Sequence, residues 1–222
     1  MHFGLIGGIG PAATEFYYRN MVKIFKEHQT KLELTITHAD TATLVSNMVT
    51  GEKAKQAQVF LTHINRLQAA GCDMVVVTSM AGHFCIDELI EISPLPILNI
   101  VPILDRYFVK AGIKKIGLIG SEAVMTSKIY GGIPSIEVLL PDSEILSEVS
   151  STYFRMAKAG FATEEQRTFF HTVGQELYSS KGAETVVLGG TDLFLAFEEQ
   201  DSSFPVLDCA LVHIEEMQRL AS

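Results

Sequence analysis

Three short fragments recur in the same order in the two halves of this chain, and that repeat limits what it can fold into more than any other feature. FGLIGG (Phe3 to Gly8) returns as IGLIGS (Ile116 to Ser121), DMVVVTSM (Asp73 to Met80) as ETVVLGGT (Glu184 to Thr191), and PILNIV (Pro96 to Val101) as PVLDCA (Pro205 to Ala210). Each is a run of Val, Ile and Leu that stops abruptly at Gly, Ser, Thr, Asn or Asp. Continuous apolar runs of this length read as parallel strands buried on both faces, opening at their ends onto a binding edge. Overlaying the middle pair sets Ser79 on Gly190, one at the mouth of each half.

Between these runs lie stretches with helical spacing, the alternation of an α/β fold. Strands are expected at Phe3–Gly7, Leu32–Thr37, Met74–Val77, Pro96–Asn99, Lys115–Ile119, Glu137–Leu140, Thr185–Leu188 and Pro205–Leu207. Helices are expected at Pro11–Glu27, Glu52–Ala70, Val101–Lys110, Glu164–Ser179 and Leu211–Leu220. The result is two similar lobes, each a small parallel sheet flanked by helices and pseudo-twofold related, with a ligand cleft between them. The first lobe is expected to span 1–98, with a C-terminal helix (208–222) returning to it, and the second 99–207. No linker rich in Pro, Gly or Ser separates them.

Composition narrows the partners. With 222 residues, 47% hydrophobic and 19% charged, the chain can bury one large core or two small ones, and long disordered tails are not expected. Seventeen basic against 26 acidic side chains give a net charge of −9, which argues against nucleic acid and anionic membrane as partners. No apolar run has the length of a membrane span, and the first residues enter a strand without the pattern of a secretory signal. Cys72, Cys85 and Cys209 are an odd number without metal-type spacing, which fits a reduced, cytoplasmic compartment. No metal or other cofactor is expected.

The loop GLIGGIGPAAT (Gly4 to Thr14) joins a strand to a helix. Its glycines let backbone approach a ligand, and the helix start offers free N–H groups to an anion; a plain tight connection is the competing reading. Gly8-x-Gly10-x-x-Ala13 also fits a loose dinucleotide fingerprint, although the acidic partner, Asp40, comes late for that role. Each of the three cysteines reads first as a buried structural thiol. Cys209, beside a strand end, is the one to test. His38 lies near Asp40 at a strand end, and His213 is placed at the start of the last helix.

These motifs together resemble the aspartate/glutamate racemase family, which also includes hydantoin racemases, arylmalonate decarboxylases and maleate isomerases. GLIGGIGP-x-AT is similar to the family's Gly-Gly-Met-Gly-Pro-x-Ala-Thr, and GCDMVVVTSMAGH to its strand leading into Cys-Asn-Thr-x-His. GAETVVLGGTDL is similar to its strand ending Leu-Gly-Cys-Thr-Glu, and MAKAG to its Leu-Lys-Ala-Gly. The resemblance covers nearly the whole chain. It implies a cofactor-independent two-base reaction on a small amino or carboxylic acid. One thiolate removes the α-proton while the facing thiol delivers another, and homodimers are common in such proteins.

Carried over position by position, the resemblance assigns the two cysteines to Ser79 and Gly190. It adds Lys158 and His83 to the catalytic positions, and Gly8, Gly10, Thr14, Ser121, Thr191 and Asp192 to the substrate-binding ones. Met80 and Ala81 replace the family's Asn and Thr, Val124 a Thr, and Asp192 a Glu. An unassisted serine hydroxyl is too weak an acid to replace a thiolate, and glycine offers no group. The chain is therefore expected to keep a racemase scaffold whose two-thiol proton transfer is lost. The alternative is a non-catalytic binder of a small carboxylate or polar ligand, or a protein-interaction role. Cysteines put back at 79 and 190 are expected to be compatible with folding, provided residue 190 does not need a positive φ.

Overall fold

A computed structural model of the protein describes residues 1–197 and 202–222. Contacts divide the chain into two compact units, Met1–Ile100 with Ala210–Ser222, and Val101–Cys209.

The first unit runs β1 (His2–Gly7), α1 (Pro11–Glu27), β2 (Glu33–His38), α2 (Thr41–Val49), α3 (Lys53–Ala69), β3 (Met74–Val77), a 3-10 turn (Ala81–Cys85) and α4 (Ile86–Ile92). Its three strands are all parallel, in the order β2-β1-β3. The second unit runs α5 (Ile100–Ala111), β4 (Lys115–Ile119), α6 (Glu122–Thr126), α7 (Lys128–Gly131), β5 (Glu137–Leu139), α8 (Ser143–Ala159), α9 (Glu164–Ser179), β6 (Thr185–Leu188), a 3-10 turn (Thr191–Leu193), α10 (Phe194–Phe197) and β7 (Val206–Asp208). Its sheet is also all parallel, ordered β5-β4-β6-β7. The last helix, α11 (Cys209–Ala221), joins the first unit, where His213 bonds both Tyr17 and the Leu98 carbonyl.

The sequence repeat is a repeat of strand register. Phe3 to Ile6 pair with Met74 to Val77 as Ile116 to Ile119 pair with Thr185 to Leu188. Even the third residue of each first strand serves the same purpose. A Cβ on Gly4 would come 2.8 Å from the Leu67 side chain of α3, and one on Gly117 2.8 Å from Leu177 of α9. Glycine at both places lets a helix lie directly on the sheet.

One expected strand does not form. Pro96–Asn99 makes only an isolated bridge, Val75 to Ile97, with the Val75 N–H donating to Pro96 O and the Leu98 N–H to Val75 O. Pro94 and Pro96 supply no N–H to extend a ladder, and α5 begins at Ile100. The matching fragment of the second unit is the true strand β7, with Val186 N–H donating to Pro205 O. Helices α2, α4, α6, α7, α8 and α10 are additional to those given bounds from the sequence.

Candidate functional site

Ligands of open parallel sheets bind outside the carboxyl ends of the strands, where the strand order reverses. In the first unit that point lies between β1 and β3, at Gly8 and Ser79. In the second it lies between β4 and β6, at Ser121 and Gly190.

At the first edge, Gly7 and Gly8 are held by their surroundings. A Cβ on Gly7 would overlap the Thr14 side chain, and Gly8, at φ +142°, lies against the Ala39 carbonyl. Thr41 of α2 donates its hydroxyl to Gly8 O. Gly10 is the buried N-cap of α1, with extended backbone (φ −127°) and no side-chain cap. This 17-residue helix therefore starts without a side-chain cap hydrogen bond from its N-cap residue. The Thr14 and Thr78 hydroxyls lie 3.2 Å apart, and Thr78 donates to Ile6 O at 3.2 Å, tying α1 to the residue before Ser79. Asp40 caps α2, accepting from the Thr43 N–H at 2.8 Å and the Thr43 hydroxyl at 2.7 Å. Those bonds hold its carboxyl below the usual range. That role replaces the ribose contact a dinucleotide fingerprint would require. His38 is exposed.

Ser79 is half-buried, and His83 sits in the 3-10 turn that follows it. His83 Nδ1 donates to the Ser79 carbonyl oxygen at 2.8 Å, not to its hydroxyl, which leaves Nε2 as a buried atom without a partner. Burial lowers the His83 pKa to about 4, so the ring is neutral. The neighbouring His213 ring, centred 6.4 Å away, accepts from Tyr17 at Nδ1 and donates to Leu98 O at Nε2. Burial, and next the charge of His83, depress its pKa to about 3. His213 is the fifth residue of its helix, held by bonds within the first unit. Met80 fills the position after Ser79 and is buried.

At the second edge, Ser121 is a helix cap. Its hydroxyl accepts from the Val124 N–H at 3.3 Å, and the Glu122 N–H donates to Ser150 of α8 at 2.9 Å. Val124 is buried beside it. Thr191 and Asp192 lie buried in the 3-10 turn that Gly190 begins.

Gly190 itself has extended backbone, φ −114° and ψ 128°, which any residue adopts. The expected condition on φ is thus met, yet the site does not accept a cysteine. A Cβ there would stand 2.6 Å from Tyr153 Cζ and 2.7 Å from its hydroxyl oxygen. The Tyr153 ring of α8 occupies the space into which residue 190 would project. Its hydroxyl donates to Asp192 Oδ2 at 3.1 Å. Burial first, and then the charge of Asp192, push the phenol well above its ordinary pKa. Such a group holds its proton at neutral pH. Lys158 lies five residues on, about 140° around the helix from Tyr153. It is exposed in the last turn of α8, where its charge complements the helix dipole ahead of the left-handed Gly160 (φ +74°).

None of the three thiols is activated. Cys209 is buried, accepts the Tyr130 hydroxyl at 3.1 Å, and is raised in pKa by burial. Cys85 is pushed up to about 12 by burial and then by Glu88. Burial also raises Cys72. Among the described residues, no group of three or more His, Cys, Asp or Glu could hold a metal ion, and no helix is long and apolar enough to cross a membrane.

Tyr153 is the residue of the candidate site that the sequence motifs miss. Its helix was traceable from apolar residues at 146, 149, 153 and 156 and from Gly160 at its end.

A sequence model of the Asp/Glu/Hydantoin racemase family matches residues 6–217. Among solved structures, the chain is similar to a candidate Asp/Glu racemase from Yersinia pestis, with 26% identity, TM-score 0.85, and coverage of 100% of this chain and 99% of that one. It is likewise similar to an aspartate racemase homologue from Pyrococcus horikoshii, with 24% identity, TM-score 0.83 and coverage of 99% and 98%. A glutamate racemase from Francisella tularensis, solved with D-glutamate, shares the fold at 16% identity and TM-score 0.68, covering 99% of this chain and 80% of that one.

Proposed function

The chain belongs to the Asp/Glu/hydantoin racemase family, and we propose that it binds a small carboxylate or amino-acid-like ligand without passing protons between two thiols. The observation that carries this reading is the seating of Tyr153 over Gly190, which takes up the place of any side chain at that strand end. A racemase needs an acid and a base of matched pKa on opposite faces of the α-carbon. Here one position offers a serine whose nearby histidine is committed through Nδ1 to a backbone carbonyl, and the other a glycine beneath a protonated phenol. The buried thiols are raised rather than lowered in pKa, so none supplies a thiolate nearby.

Ligand binding is supported by what does not depend on those side chains. The first turn of α1 carries no side-chain cap, and both strand-order reversals end in Gly, Ser or Thr. Met80, Ala81 and Val124 make the surroundings more apolar than those of the family pattern, which favours a ligand less charged than aspartate. Ligand-observed NMR with small carboxylates and amides tests the reading. At least one should bind at millimolar concentration, and Gly10→Val should weaken it without lowering the unfolding midpoint. Absence of binding across the set would leave a surface-interaction role as the alternative.

A further inference from the structure

We propose that the recess between α8 and the start of α9 is a second ligand site, one that takes a small zwitterion: an α-amino acid with an apolar side chain. It lies apart from the strand ends. Arg155, the cation in its lining, comes two residues after Tyr153 and so roughly 200° around α8 from the ring that covers Gly190.

The recess measures about 310 Å³ and is lined by Glu148, Thr152 and Arg155 of α8 and by Glu165, Gln166 and Phe169 of α9. That is the small end of ligand pockets, which run roughly 300–1,000 Å³, so it suits a small molecule. Its charged groups are unspent. The Arg155 guanidinium is held by two neutral oxygens, donating from Nη2 to Thr152 Oγ1 at 2.7 Å and from Nη1 to Ser151 Oγ at 3.4 Å. Thr152 is 4% exposed, which anchors one side of the guanidinium on the packed part of the helix. Among the described residues, none of Arg155, Glu148 and Glu165 takes part in an ion pair. Gln166 adds donors. Its Oε1 accepts the Thr163 N–H at 2.9 Å in the capping box of α9, which leaves the Nε2 N–H groups for another acceptor.

This set fits neither a simple anion nor a simple cation. A lone carboxylate gains Arg155 and the Gln166 amide but meets two glutamates, on a chain of net charge −9. An amine gains the glutamates and meets the guanidinium. A zwitterion answers both signs. Its carboxylate takes N–H groups of Arg155 and Gln166, its ammonium donates to Glu148 or Glu165, and an apolar side chain covers the half-buried Phe169 ring. Pairs between groups this exposed are individually weak, which sets the affinity in the millimolar range.

L-leucine, isoamylamine and isocaproate provide the test, since the last two are leucine without its carboxylate and without its amino group. The Gly10→Val protein is used throughout, so that the strand-end site is weakened and the recess is read by itself. Saturation-transfer NMR at pH 7 should show saturable millimolar binding of L-leucine. Each half-molecule should bind at least about fivefold more weakly, and so should L-leucine once Arg155→Gln or the pair Glu148→Gln and Glu165→Gln is added. All three positions are exposed, so the unfolding midpoint should hold. No saturable binding of L-leucine, half-molecules that bind as well as it does, or binding indifferent to these substitutions overturns the proposal. None of those outcomes touches the strand-end site, whose own test compares Gly10→Val with the unmodified protein.

Discussion

Tyr153 and Gly190 share one space: the ring of the tyrosine, on α8, lies where the glycine at the end of β6 would carry a side chain, with Cζ 2.6 Å from the Cβ position. Because the backbone of residue 190 is extended, glycine is required there by the neighbour and not by conformation.

That relationship is testable as a coupling. Gly190→Cys should destabilise the protein by about 1–3 kcal/mol or more through overpacking. Tyr153→Ala should cost about 3–5 kcal/mol through the cavity it leaves. Combined, the two should cost less than their sum, because the alanine frees the space that the cysteine needs. Urea unfolding of the four proteins measures this. Additive losses would mean that Tyr153 does not occupy the position.

The strands at both edges were readable because a β-branched run bounded by Gly, Ser or Thr has few other structures open to it, and the repeat reappears as shared register in Phe3–Met74 and Ile116–Thr185. Helix α8 was harder to read. Ser147, Ser150, Ser151 and Thr152 weaken its helical signature, and the structure uses Ser150 to accept the Glu122 N–H. Once α8 is missed, Tyr153 is missed too. Its partner Asp192 lies 39 residues away, and no local pattern records such a contact. Motif matching could register that a thiol was missing, but not what stood in its place. The matched Lys158 illustrates the converse, since a motif position lands on an exposed helix end.

The buried histidines predict a pH dependence. His83 and His213, at about 4 and about 3 in the folded state, lie below their ordinary value of 6.5. Above pH 6.5 both states leave them neutral. As pH falls below that value the unfolded chain takes up protons that the folded protein refuses. Stability should therefore drop by up to about 1.4 kcal/mol per pH unit for each ring, from near pH 6.5 down towards their folded values. Urea midpoints at pH 7 and pH 5 read the slope. A flat profile over that range would show that the two rings are not buried neutral.

Cys209 is predicted to be structural. Its sulfur accepts from Tyr130, a residue with no exposed surface. Cys209→Ala should cost about 1–3 kcal/mol by removing that hydrogen bond and the buried sulfur, and Cys209→Ser should recover part of the loss. In the native protein Cys85 and Cys209 should react with iodoacetamide far more slowly than in urea. Rapid native alkylation of Cys209 would point instead to an activated thiol.

Proton exchange at the α-carbon tests the loss of two-thiol chemistry most directly. L-aspartate and L-glutamate, incubated with the protein in heavy water and followed by proton NMR, should keep their α-proton signals at the rate of a protein-free control. Removing an acid or base typically costs about 10²–10⁴-fold, and here neither edge offers a group of suitable pKa. Loss of the α-proton signal in proportion to protein concentration, abolished by heat denaturation, would contradict the account.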